Sequence, residues 1–370
     1  MSSGDSFAIM KKRDSVKTVL WVVLPAISVS IAVCFLPEFW LKLLIYAGIA
    51  AIGAIGLNLL TGNTGQASLG QPFFMGIGAY TAAFVGQDLA VYFPFWLIVA
   101  TMLAAFVGAL VGLLALRLRG HFLIIVTFAL VFIGQHIFRN WNSVTHGTSG
   151  RSVDVGNGLL GENVFHVKVL SRDATYFILI WAFVTGLAWL TNNLLRGRIG
   201  RALMSIRDQE LTAEISGIDV ARYKIVAFVI SSGTAGLAGA LFAAYMQYTN
   251  PSEWGLLLAI QYLAMIVVGG MGSVAGSIIG AVAITLLPHC IELVSVHIPF
   301  IAQNPNDSGF MTVFALNQII FGAMIIVFII FAPRGLAGAL ERVARAAKKI
   351  IMKASPRESA SSGNPAIGFK

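Results

Sequence analysis

The feature that most constrains this chain is a succession of about ten predominantly apolar runs, at approximately 18–36, 40–60, 72–90, 94–116, 121–138, 175–195, 223–245, 256–270, 274–296 and 312–332. Each approaches the roughly 20 residues that an α-helix needs to cross ~30 Å of hydrocarbon. Within lipid every backbone N–H and C=O must be satisfied inside the protein, so runs of this length fold as helices. Composition supports the pattern: 57% of the 370 residues are hydrophobic and 11% charged, far from the soluble average. The expected fold class is therefore all-α, a polytopic membrane protein of about ten transmembrane helices.

One stretch breaks this pattern. Gly62 to Tyr80, GNTGQASLGQPFFMGIGAY, sets five glycines and the amides of Asn63, Gln66 and Gln71 between two apolar runs. Unsatisfied backbone and amide groups cost several kcal/mol each in hydrocarbon. Such backbone must emerge into water or line a protein-enclosed cavity. A second break, Gly269 to Gly276 (GGMGSVAG), lies between the eighth and ninth runs, on the same membrane side. Paired breaks point to a pathway built from discontinuous helices; close helix packing through small residues accounts equally for Gly276 and Gly280. The candidate pathway residues are Asn58, Thr61, Asn63, Gln66, Ser68, Gln71, Gly269, Gly270 and Gly272. The count places Gly62 to Gln71 near the cytoplasmic side, as an inner gate or as a substrate contact.

Orientation follows from the cations. With a cytoplasmic N-terminus and ten helices, the inner side collects 20 of the 25 Lys and Arg residues, leaving Lys42, Arg139, Arg151, Lys168 and Arg172 outside, while acidic residues divide evenly. This is the positive-inside bias, which belongs to Lys and Arg rather than to net charge. The formal net charge of +9 is therefore assigned to topology and not to nucleic acid. Residues 1–17 form a cytoplasmic arm, and 18–36 reads as a retained first helix, since it lacks a cleavage site. Residues 18–333 form the transmembrane domain. Both termini are expected in the cytoplasm.

Two polar segments interrupt the spans. Residues 139–174 form an external loop with turn signals at 145–150 and 154–158. Residues 196–224 mix charge with Leu203, Ile206, Leu211 and Ile215 at helical spacing, and Gly217 supplies a stop. Such an amphipathic helix suits either a groove on another protein or an anionic lipid surface. Four acidic residues from Asp208 to Asp219 favour the protein groove, because anionic headgroups repel carboxylates. Residues 334–354 place Leu336, Leu340, Val343, Ala347 and Ile350 beside Arg and Lys, a basic amphipathic helix on membrane lipid. Residues 355–370 are rich in Ser, Pro and Gly and are expected to be disordered.

Several chemistries find no residues. There is no phosphate-binding loop, no G-x-S-x-G elbow, no H-E-x-x-H pair and no C-x-x-C. Cys34 and Cys290 lie in apolar runs and read as packing residues. No catalytic, metal or cofactor site is expected in this chain. No Asp, Glu, Lys or Arg sits at a clear bilayer centre, whereas ion-coupled carriers need such groups. The chain reads as a conduit that takes its energy through the 196–224 segment.

Specific motifs then carry a resemblance. Asn58 to Gly62, Gly65 to Gly70 and Gly76 to Tyr80, then Gly200-Arg201-Ala202, Ile206-Arg207-Asp208, Ala213-Glu214 and Gly217-Ile218, then Asn250-Pro251, Met265 to Gly272 and Pro333 to Leu336 resemble the LivM-type permease subunit of branched-chain amino acid ABC transporters. The resemblance covers about Tyr46 to Gly338. It implies glycine-rich broken helices and a cytoplasmic coupling helix that docks on an ATPase through Arg207, Asp208, Glu210, Ala213, Glu214 and Gly217. It also implies a LivH-like second permease subunit, two cytoplasmic ATPases that bind ATP and Mg, a periplasmic substrate-binding protein and the bacterial inner membrane. One departure concerns cargo: the family often has Thr-Gly-Gly in the outer loop, and this chain has Thr145-His146-Gly147-Thr148-Ser149-Gly150. Branched-chain amino acids lead, with urea, amides or another small polar solute as the alternative cargo. A stand-alone carrier is the remaining rival.

Overall fold

The computed structural model describes residues 37–295 apart from 90, 92–93, 116–121 and 154–170, together with 301–302, 311–312 and scattered helical positions between 316 and 338. The central element is α1 (Glu38–Asn58), prolonged by a π-helical turn at Leu59–Asn63. Its apolar window is 89% buried, against 28% to 39% for four of the other long helices. A sequence apolar on every side and rich in small residues is suited to this interior place. Around it stand α2 (Gln71–Ala83), α3 (Phe95–Ala115), α4 (Phe122–Asn140), α5 (Arg172–Arg196), α6 (Arg198–Asp208), α7 (Glu210–Ile215), α8 (Val220–Met246), α9 (Leu256–Gly269) and α10 (Val274–Ser295).

Helix α1 packs on α5, α8 and α10, while α8 packs on α2 and α3. The crossing of α2 and α8 is backbone on backbone. A Cβ on Gly239 would lie 1.9 Å from the Met75 carbonyl oxygen, and one on Gly78 would lie 2.0 Å from that of Gly236. Small residues allow this approach, which drives association where the hydrophobic effect does not distinguish neighbour from lipid. The outer faces of α3 and α4 expose Phe95, Met102, Phe106, Phe122, Ile125 and Phe132, as a hydrocarbon solvent requires.

Eight helices stand where spans were expected between 40 and 296, and six of them are long and apolar enough to cross a membrane. The other two, α2 and α9, are shorter because each abuts a break. The expected 18–36 helix, the 1–17 arm and the 355–370 tail lie outside the described residues, as does most of the 312–332 span and of the 334–354 helix.

The connections gather at two poles. One pole joins the 59–70 break, the 270–273 break, the end of α6 and the start of α8, with Gly335 against the backbone of Gly270. The opposite pole joins Lys42 to Asp173, Arg172 to the Tyr245 carbonyl, and Arg151–Ser152 (β1) antiparallel to Tyr248–Thr249 (β2). Arg151 is 1% exposed, pairs with Asp88, donates to the Val144 carbonyl at 2.7 Å and lies over the Phe84 ring. Here Glu253 closes a capping box with Asn250, and burial pushes its carboxyl above the ordinary range against the pull of the Asn250 N–H.

Candidate functional site: a clasp between two helix breaks

Residues 59–70 answer the question their polarity raises. Helix α1 widens into a π turn at Leu59–Asn63, the chain runs without regular structure from Gly65 to Gly70, and α2 begins at Gln71. Gly62, Asn63, Thr64, Gln66, Ser68, Gly70 and Gln71 are buried and Gly65 is exposed, so most of the break is packed inside protein with one opening at Gly65. Several of its polar groups are satisfied within the protein. The Gln66 N–H donates to the Leu60 carbonyl at 3.2 Å, and the Thr64 hydroxyl donates to that of Leu59 at 3.0 Å. Thr61 donates to the Gln66 carbonyl, and the Ser68 hydroxyl accepts from the Gly70 N–H. The Gln71 amide donates to the Gly53 carbonyl at 2.8 Å. The Leu69 N–H donates to Thr127 Oγ1 at 3.1 Å.

The second break is bound to the first. Asn58 Nδ2 donates to the Ser273 carbonyl at 2.9 Å and to Ser277 Oγ at 2.6 Å, and Asn58 Oδ1 accepts the Gly272 N–H at 2.8 Å. Asn63 Nδ2 donates to the Gly272 carbonyl at 3.4 Å. Gly272 has φ +83°, a conformation that favours glycine. Gly269 instead packs against Gly276 and Gly280, and a Cβ on it would fall 2.0 to 3.1 Å from their backbone. That half of the second break is close helix packing, the competing reading from the sequence.

The 196–224 segment is attached to the same clasp. It is two helices, not one: Gln209, at φ −157° and ψ 108°, separates α6 from α7. Leu203 and Ile206 are buried on α6, Ala213 is buried on α7, and Leu211 and Ile215 stand 68% and 89% exposed. The two large apolar residues of α7 thus lie at the surface of the chain. Gly217 (φ +82°) ends α7, with the Ile218 N–H bonded to the Ala213 carbonyl and the Gly217 N–H to that of Glu214, both at 3.0 Å. This is the Schellman arrangement. Glu210 is paired with Lys224 of α8 at 2.7 Å. Arg207 turns back from α6, and its Nη1 donates to the Gly62 carbonyl at 2.6 Å.

The structure thus brings Asn58, Asn63, Gly272 and Arg207 together, and spends the polar groups of Ser68 and Gln71 on backbone and those of Asn58 on backbone and on Ser277 Oγ. Gln66 is the exception. It is 8% exposed, and neither atom of its amide has a hydrogen-bond partner. It lines an open cleft of about 230 Å³ with Thr64, Gly65, Arg207, Glu210 and Lys224. Ser273, Ser277, Thr127 and Lys224 complete the arrangement and were not singled out from sequence. Their only signal is polarity beside a break or at the end of the polar segment.

Fold and clasp together define an all-α, multi-pass membrane protein built on two broken helices joined at one pole. The chain belongs to the family described as branched-chain amino acid transport system / permease component, which matches residues 39–329. It is 32% identical over 249 residues to the high-affinity branched-chain amino acid transport system permease proteins LivM of Salmonella typhimurium and of Escherichia coli, covering 63% of this chain and 59% of each relative. It is 27% identical over 253 residues to LivH of Escherichia coli, covering 62% of this chain and 77% of the relative. The chain thus spans less than two thirds of the two LivM proteins. No solved structure matches it.

Proposed function

We propose that this chain is the transmembrane permease subunit of an ATP-driven ABC importer in a bacterial inner membrane. It forms the translocation pathway for branched-chain or related amino acids delivered by a periplasmic binding protein. Both termini face the cytoplasm, together with the pole that carries α6, α7 and the clasp. A LivH-like subunit pairs with it, and two ATPases that bind ATP and Mg lie beneath. The observation that carries this reading is α7, a capped helix with exposed Leu211, Glu214 and Ile215, joined through the Arg207 end of α6 to both helix breaks. As the ATPases close on ATP, a groove in one of them holds α7, and its movement switches the pathway between outward and inward access.

Cargo selection belongs mostly to the binding protein, in keeping with spans whose described charged residues lie near helix ends. The 145–150 departure keeps urea, amides and other small polar solutes as the second reading of the cargo. The test is uptake of radiolabelled leucine, isoleucine, urea and acetamide into proteoliposomes holding all the subunits, with and without ATP. ATP-dependent uptake that disappears when the ATPases are omitted supports the importer. Uptake by this chain alone would establish the stand-alone carrier.

A further inference from the structure

We propose that Arg207 is the positioning residue through which movement of α7 reaches the translocation pathway, because its side chain caps the end of α1 from another helix. This rests on the importer reading above and names the part that transmits its motion. The last carbonyls of a helix have no partner within it and carry the negative end of its dipole, so a cation there is favoured. At α1 the carbonyls of Leu59 and Leu60 are taken by local donors, and that of Gly62 is taken by the Arg207 guanidinium. The contact spans 145 residues of sequence and ties α6 to the most buried of the six described helices long enough to cross a membrane.

Two glycines clear its way. A Cβ on Gly65 (φ +75°) would lie 3.3 Å from Arg207 Cγ, and one on Gly272 (φ +83°) would lie 3.1 Å from Arg207 Nη1. One glycine comes from each break, so the arginine stem crosses the first break while its head lies at the second. From there Asn58 and Asn63 carry the connection into α10. On the other side of Gln209, Glu210 binds Lys224, which fixes α7 to α8. A pull on α7 therefore moves the ends of α1, α8 and α10 together. The sealed amide of Gln66, beside Arg207 in the same cleft, is the polar group that gains water or solute when this pole opens.

The test uses the full transporter in proteoliposomes with radiolabelled leucine as the probe, comparing wild type, Arg207→Ala, Arg207→Lys and Gly272→Ala. For Arg207→Ala the ATPases should still co-purify and hydrolyse ATP within about twofold of wild type. The ATP consumed per leucine imported should rise about tenfold, the order of one hydrogen bond from a charged donor. Lysine, which keeps one donor and the charge, should restore part of the coupling, and Gly272→Ala should reproduce the loss. An unchanged ratio in Arg207→Ala, or loss of the ATPases from the complex, overturns the proposal. Hydrogen exchange of the purified complex is read in parallel and needs no transport. Arg207→Ala should speed exchange in both 60–66 and 270–274, and no change there also overturns the proposal. Absence of ATP-driven uptake in wild type, with the exchange effect present, would instead strike the importer reading.

Discussion

Replacing Asn58 with alanine should open the clasp while leaving the rest of the bundle in place. The side chain is 2% exposed and makes three hydrogen bonds, to the Ser273 carbonyl, to Ser277 Oγ and from the Gly272 N–H. A net hydrogen bond is worth ~0.5–1.5 kcal/mol in proteins and averages ~0.6 kcal/mol between membrane helices. The Ser273 carbonyl keeps a donor, because Ser277 Oγ also reaches it at 3.2 Å, but the Gly272 N–H is left without an acceptor. The sum is about 2–4 kcal/mol, a factor of about 30 to 900 in a local opening equilibrium. Hydrogen exchange in detergent should accordingly speed at residues 270–277 by at least about 30-fold. Thr101→Val provides the control, since the Thr101 hydroxyl bonds only the Leu97 carbonyl one turn back in its own helix, and should shift exchange within α3 by less than about threefold. If Asn58→Ala leaves 270–277 no faster than Thr101→Val leaves its own surroundings, the clasp does not hold the second break.

Further outcomes follow from the same geometry. Gly239→Ala should lower the apparent melting temperature and the monodisperse yield, by overpacking of about 1–3 kcal/mol or more, because its methyl meets the Met75 carbonyl; Gly186→Ala, with nothing within 4 Å, should be neutral or stabilising. Lys224→Met should free Glu210, leave the melting temperature within a degree or two, and raise the hydrogen exchange of α7. Arg151→Met should destabilise the opposite pole by about 1–3 kcal/mol, a discount from the fully buried case because Asp88 is 41% exposed; adding Asp88→Asn should cost little more. Because the Glu253 carboxyl is raised by burial, the folded state holds its proton more tightly and wild-type stability falls as pH rises above the ordinary value of 4.5. Glu253→Gln should therefore be more stable than wild type in thermal melts at neutral pH and equal to it below about pH 4.5.

What the sequence discloses here is what local pattern can carry. Glycine clusters at 62–70 and 269–276 marked both breaks, and the charge and stop signals of 196–224 marked α7 and its end at Gly217. Eight of the ten helices labelled from Glu38 to Ser295 followed from apolar length. The joins were hidden because they are distant in sequence. Asn58 meets Ser277 across 219 residues and Arg207 meets Gly62 across 145. No periodicity distinguishes a polar side chain that will bond a far carbonyl from one that will touch solute. For that reason Asn58, Ser68 and Gln71 read as pathway residues, and in the structure their hydrogen bonds go to backbone and, for Asn58, also to Ser277 Oγ. Arg207 read as a surface contact for another protein, although its head group turns inward. The division at Gln209 was masked because Leu203, Ile206, Leu211 and Ile215 keep a helical spacing across it, yet the first two are buried and the last two exposed.

The central claim is that α7 is held by an ATPase, and chemical cross-linking tests it most directly. In membranes containing the assembled transporter, cysteines placed at Leu211 and Ile215 should cross-link to the ATPase subunit with a short bifunctional reagent. A cysteine at Leu203, which is fully buried on α6, should not. Cross-linking of positions 211 and 215 only to lipid, or their labelling from the external side of intact cells, would contradict the account.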